Sequence, residues 1–139
     1  MIRIAIVAVA FLATMGPAFA SPCNGVDLAV RAVSVKSVST SGNMNQYALA
    51  GTVTNIGSAS QGADALQSVD IYEGKQKLDG RSIPPLKVGE SHPFSYVFAR
   101  STGAGNGTTR LRFQLNITHP SPADAQSCNM SNDSYTLTF

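Results

Sequence analysis

Between residues 110 and 117 polar and apolar side chains alternate without a break: Arg110, Arg112, Gln114 and Asn116 interleave with Leu111, Phe113, Leu115 and Ile117. A strand turns successive side chains to opposite faces, so this run has one face for a core and one for water. A helix would spread the same residues around its circumference. A sheet that is apolar on one face must bury it against a second layer, which makes the alternation a statement about architecture as well as about one strand.

The same period of two recurs along the chain, separated by segments rich in Gly, Ser, Asn and Pro. Leu28 and Val30, then Val33 and Val35, alternate with small or polar neighbours, and the change of parity between the pairs predicts a bulge or a strand that switches sheets. Tyr47, Leu49 and Val53 share a face of a second strand ending at Asn55-Ile56-Gly57. Val69 and Ile71 mark a third, with Asp70 and Tyr72 on its other face, and Glu73-Gly74 turns it into a partner over Lys75 to Ile83. Phe94, Tyr96 and Phe98 put three rings on one side of a fifth strand, Leu111 to Ile117 form the sixth, and Tyr135, Leu137 and Phe139 the seventh. Residues 60–67 fit one helical turn or a crossover loop. The sum is an immunoglobulin-like antiparallel β-sandwich of about seven strands.

The first twenty residues read as a targeting segment: Arg3, an apolar run from Ile4 to Ala13, a Gly16-Pro17 break, and Ala18-Phe19-Ala20 with small residues at the inspected positions. Cleavage is expected after Ala20, leaving residues 21–139 as one domain that is periplasmic or secreted. Pro22 before Cys23 argues against lipidation of that cysteine. No later stretch is apolar over the roughly 20 residues a helical span needs, so the mature chain is expected to have no membrane span. Without Arg3, nine Lys or Arg face eight Asp or Glu, and the charges are scattered. A nucleic-acid binder concentrates basic groups to neutralise several phosphates, and only Lys75, Lys77 and Arg81 come near such a cluster, which argues against nucleic acid. The two cysteines, Cys23 and Cys128, both belong to the mature chain, and in an exported protein they are expected to pair.

Several segments together resemble the CARDB domain, a cell-adhesion-related module of bacteria: Asp27-Leu28-Ala29-Val30, Gly51 to Gly57, Val69 to Gly74, Ile83 to Ser91, and Asn132-Asp133 followed by Tyr135 to Thr138. The resemblance covers nearly all of the mature chain and implies an immunoglobulin-like fold with a binding or adhesion role. Between Thr118 and Cys128 the chain has His119-Pro120-Ser121-Pro122 where the family carries an acidic stretch. Residues 51–91 are also similar to the FxLYD-like domain of bacterial envelope proteins.

No arrangement of residues specifies catalysis, a cofactor or a metal. His92 and His119 each precede a proline, which confines them to extended backbone at edges or loops. A Gly-x-Ser-x-Gly elbow is missing from the sequence. The acidic residues lie singly, Asp64 and Asp70 being the nearest to a pair around a loop, and Met44 and Met130 are isolated. Gly103 to Gly107 lacks the Lys-Ser/Thr of a phosphate loop and reads as a hairpin tip, while sequons at Asn106, Asn116, Asn129 and Asn132 are expected to stay unmodified in a bacterial protein.

What remains is a non-enzymatic binding module of the bacterial envelope or extracellular space, with a protein or glycan partner. The structural-subunit reading and the small enzyme or inhibitor reading stand as alternatives. Recognition is expected in the loops that hold Ser60, Gln61 and Asp64, and Asn106 and Thr108, with the open edge over Lys75 to Ile83 second. A Cys23–Cys128 bridge would close about 105 residues and, on the loop-entropy model, stabilise the fold by about 4 to 5 kcal/mol. Reductant should therefore lower the melting temperature by several degrees, and an unchanged melting curve would count against the bridge.

Overall fold

A computed structural model describes residues 23–104 and 107–139, so the proposed targeting segment, its cleavage point and Asn106 lie outside the described residues. Seven strands follow one another: β1 (Leu28–Ser41), β2 (Met44–Asn55), β3 (Leu66–Glu73), β4 (Gln76–Ile83), β5 (Ser91–Ser101), β6 (Arg110–His119) and β7 (Ser134–Thr138), with a short 3-10 helix at Met130–Asn132. They form two antiparallel sheets in the orders β1-β2-β5 and β4-β3-β6-β7. This is the expected immunoglobulin-like sandwich. Its fourth strand pairs with the third, where a constant-type domain keeps that strand in the first sheet.

The alternation read from the sequence is the inward face of each strand. Leu111 and Phe113 of β6 have no exposed surface, and Leu28, Val53, Val69 and Ile71 are equally enclosed. Phe94 meets Phe113 across the two sheets at 5.8 Å between ring centres. Toward the other end Phe139 packs on Tyr47 at 4.9 Å and edge-on to Phe98 at 6.0 Å, which extends the apolar layer past β7. Tyr96 remains half-buried, with the Arg81 guanidinium 5.8 Å above its ring.

β1 carries the expected parity change. Its register against β2 shifts between Arg31 and Ser34, where Ala32 takes a positive φ of 54°, and again between Val35 and Ser37. The bulge lets Val30 and Val33, an odd number of positions apart, both point inward. The strand also runs further than its apolar residues suggested. It ends in a two-residue hairpin at Gly42-Asn43, where Gly42 has φ 59°.

Strand pairing sorts the loops into two groups. Leu28↔Asn55, Thr54↔Ser91, Gln67↔Ile83 and Leu66↔His119 lie at one end, together with the Cys23–Cys128 disulfide, whose Cα atoms are 6.0 Å apart. Ser41↔Met44, Met44↔Ser101, Glu73↔Gln76 and Glu73↔Leu111 lie at the other, the hairpin end, where the Arg100–Glu73 ion pair joins the sheets.

At the disulfide end Asn55 is fully enclosed and uses every polar group it has. Its side-chain Oδ1 accepts from the Gly57 and Asp27 amides, and its Nδ2 donates to the carbonyls of Ala59 (2.9 Å) and Leu86 (3.1 Å). Its own amide donates to Glu90, and its carbonyl accepts from Gly89. One buried amide thus holds three loops together. The packing there leaves no room at Gly57, where a Cβ would stand 2.1 Å from the Gly25 carbonyl oxygen.

Opposite faces of one strand should respond oppositely to truncation. Phe113→Ala is expected to cost about 3 to 5 kcal/mol in chemical denaturation and Arg112→Ala about 0.5 kcal/mol or less. Equal losses would contradict the assignment of β6's two faces.

Candidate functional site

The sequence-named recognition residues fall at opposite ends of the sandwich. Ser60, Gln61 and Asp64 belong to the disulfide end and exposed Thr108 to the hairpin end, while Asn106 is outside the described residues. The two loops therefore cannot share one binding surface.

Within the first loop the three residues differ in what they offer. Gln61 keeps 8% of its surface. Its amide and that of Gln67 donate to each other's oxygens at 2.7 and 2.9 Å, and its Oε1 also accepts from the Leu86 amide. Its side chain is a loop fastening. Ser60 is exposed, with its hydroxyl accepting from the Val88 amide at 3.1 Å. Asp64 is exposed and its carboxylate accepts from the Ser121 hydroxyl, which holds it below the ordinary carboxylate range, with its own backbone adding to the effect.

Asp64, Ser121 and His119 bring together the residue types of a serine triad, but in the wrong order. The serine hydroxyl bonds the carboxylate directly, and the imidazole Nδ1 faces the Asp64 backbone carbonyl at 3.2 Å. A triad needs the imidazole between the two, taking the proton from the hydroxyl. His92 is half-buried on β5, paired in register with Val53.

A cleft of about 290 Å³ opens beside this loop. Ala59 and Ser60 form one wall, Pro122, Asp124 and Gln126 the other, and Val26 lies within it. Both walls are tied to the core. Ser58 and Ala59 donate their amides to the Gly25 carbonyl, and the Cys128 amide donates to Val26.

The outer faces of the two sheets differ in charge. On β4-β3-β6-β7, Asp70 lies at the sheet surface but keeps only 3% of its area, covered by its own partners. Burial would raise its pKa; the hydrogen bonds from Lys77 (2.8 Å), Ser68 (2.8 Å) and Asn116 (3.1 Å), with the Lys77 charge, outweigh this and hold it below the usual range. The same contact raises the Lys77 ammonium. On the edge strand β4, Arg81 pairs with Asp79 at 2.7 Å. The outer face of β1-β2-β5 instead presents Ala48, Ala50, Ser95, Val97 and Ala99, with Val97 57% exposed.

No local pattern in the sequence signals the buried polar group at the disulfide end, where Asp27, Ser127, Asn132 and Asp133 meet. Asp27 lies just before β1 and retains 2% of its surface, and Asn132 Nδ2 donates to its Oδ1 at 3.0 Å. Burial raises the Asp133 carboxyl; the nearby Ser127 hydroxyl offsets part of that, and the Asp27 charge adds to it. Asp64 and Asp70, the pair suggested by spacing, are each held by their own partners. Among the described residues the one close group of three His, Cys or carboxylate ligand atoms is Cys23, Asp27 and Cys128, and its sulfurs are joined in the disulfide. Also among the described residues, no helix is long and apolar enough to cross a membrane. No family model, curated protein or solved structure matches the chain.

Because the folded carboxyl of Asp70 has a lower pKa than the unfolded one, its contribution to stability is present above the unfolded value, about 3.9, and is lost as pH falls through the folded value. Asp70→Ala should cost about 1 to 3 kcal/mol at pH 7. Denaturation of both proteins between pH 7 and pH 2 should show that gap closing, and a constant gap would remove the charge from the explanation.

Proposed function

We propose that the protein is an exported, non-catalytic binding module, related to the CARDB domains, that works in the bacterial envelope or outside the cell and engages its partner at the disulfide end. The observation that carries this reading is the cleft between Ala59-Ser60 and Pro122 to Gln126, whose walls hang from the buried hydrogen bonds of Asn55 and from the disulfide. A surface held in one conformation before binding loses little entropy on association, which is how loops on a rigid scaffold come to serve recognition. The cleft has apolar ground at Val26 and Ala125, with polar groups at Ser60, Asp124 and Gln126 on its walls, a mixture suited to a protein segment or a glycan. The disulfide suits an oxidising compartment, and the targeting segment expected at residues 1–20 agrees with it.

A structural subunit of an envelope assembly is the second reading, favoured by the outer face of β1-β2-β5. Its alanines, Ser95 and exposed Val97 offer small uncharged side chains with little cost of desolvation.

The oxidised mature protein, immobilised and challenged with envelope extract or culture fluid of its own organism, should retain a partner that the Gln126→Arg variant releases. Gln126 is exposed on the cleft wall, so this variant should melt with the parent. Equal retention by both proteins, or none by either, would contradict binding at this cleft.

A further inference from the structure

Where the residues preceding β1 meet the segment between the disulfide and β7, the protein gathers buried oxygen atoms whose hydrogen bonding is incomplete. Asn132 donates Nδ2 to Asp27 Oδ1, which fixes the amide's orientation and leaves its Oδ1 for another partner. That Oδ1, Ser127 Oγ and Asp133 Oδ1 are the buried side-chain polar atoms without a hydrogen-bond partner among the described residues, and all three belong to residues 127–133. Ser127 is 7% exposed, and its hydroxyl lies close enough to the Asp133 carboxyl to act on its pKa, without the geometry of a regular hydrogen bond. Asp27 is near enough for its charge to act on Asp133. Native proteins rarely leave such atoms unsatisfied, and here they gather at one place.

We propose that Asp27, Ser127, Asn132 and Asp133 bind one hard divalent cation of the calcium class. Every group on offer is an oxygen: carboxylate, amide carbonyl or hydroxyl. The nearby sulfurs are tied up in the disulfide, so the thiolate donors that would favour zinc or copper are not available. Two carboxylates call for a double positive charge, since a single one would leave part of the buried repulsion in place. A proton on Asp133 would remove the repulsion yet satisfy at most one further acceptor. A divalent ion answers both needs, drawing lone pairs from all three orphaned oxygens while neutralising the acids. Calcium accepts irregular sets of six to eight oxygens, completing them with carbonyls or water, whereas magnesium demands a near-ideal octahedron. Asn132 and Asp133 are half-exposed and give the ion a way in.

The bound ion would join the start of the domain to the stretch before its last strand, the same two regions that the disulfide joins. Because the unfolded chain does not assemble these ligands, binding adds to stability in proportion to the logarithm of the calcium concentration.

The test uses the oxidised mature protein, stripped with chelator and titrated at constant ionic strength with calcium, magnesium or sodium chloride, followed by calorimetry and by thermal unfolding. One calcium per chain should bind, with a melting temperature that climbs by several degrees across the titration, a weaker response to magnesium and none to sodium. Asp133→Asn should weaken calcium binding about tenfold or more, and Ser127→Ala less, because ligand charge sets affinity in such sites. Both variants keep the Asp27–Asn132 hydrogen bond and should fold. Absence of any calcium response up to about 10 mM, well above the range of weak extracellular calcium modules, would overturn the proposal. So would calcium binding untouched by Asp133→Asn, which would put the ion elsewhere, or an Asp133→Asn protein that melts above the parent at every calcium concentration, which would mark the carboxylate as a buried charge relieved by neutralisation.

Discussion

The apolar layer between the two sheets sets the terms for the rest of the molecule. Phe113 and Leu111 from β6, Val69 and Ile71 from β3, and Leu28, Leu49, Val53 and Phe94 from the opposite sheet lie against one another with almost no exposed surface. Removing such surface from water is the main favourable term in folding, and it acts only if both sheets present their apolar parity inward at once. The bulge in β1 exists for this reason: without it, Val30 and Val33 would face opposite ways. A single aromatic ring at the chain's end, Phe139, extends the layer to the hairpin end by packing on Tyr47 and Phe98.

What the apolar layer cannot do is fix loops, which carry backbone groups that need hydrogen-bond partners. At the disulfide end that task falls to buried amides. Asn55 gathers the Gly25–Asp27, Gly57–Ala59 and Leu86–Glu90 segments around one side chain, and the Gln61–Gln67 pair fastens the next loop to the Pro84 and Leu86 backbone. The same end carries the disulfide, the cleft and the group of oxygen-bearing side chains around Asp27. The hairpin end carries the two-residue turns at Gly42-Asn43 and Gly74-Lys75, the longer connection from β5 to β6, and the Arg100–Glu73 ion pair. This asymmetry is why the functional reading rests on the disulfide end.

Strand positions and inward faces were legible in the sequence because alternation is a local property: Leu111 to Ile117, Val69 with Ile71, and Phe94 with Phe98 each declare their face within a few residues. The β1–β2 hairpin was less visible. Lys36 to Ser41 are exposed and carry little apolar pattern, and only Gly42-Asn43 signals the turn. The polar core was hidden for a different reason. Gln61 reads as an exposed loop residue until Gln67 and the Leu86 amide are brought to it, and Asp27 and Asp133 stand at opposite ends of the domain's sequence. Asp70 reads as an outward residue and is one, yet Lys77, Ser68 and Asn116 cover it. Buried polar contacts join residues far apart in sequence and have no period, so local patterns cannot reveal them.

The central claim is that one apolar layer holds the sheets and a few buried amides, Asn55 foremost, lock the disulfide-end loops to it, so that these loops share the stability of the strands. Amide hydrogen exchange of the oxidised domain, read residue by residue, tests it most directly. The account predicts that the loop amides of Ile56, Gly57, Gln61 and Leu86, each donating a hydrogen bond at this end, exchange nearly as slowly as those of Val69, Ile71 and Phe113. Loop amides exchanging at the rate of an open chain, beside slow strands, would contradict it.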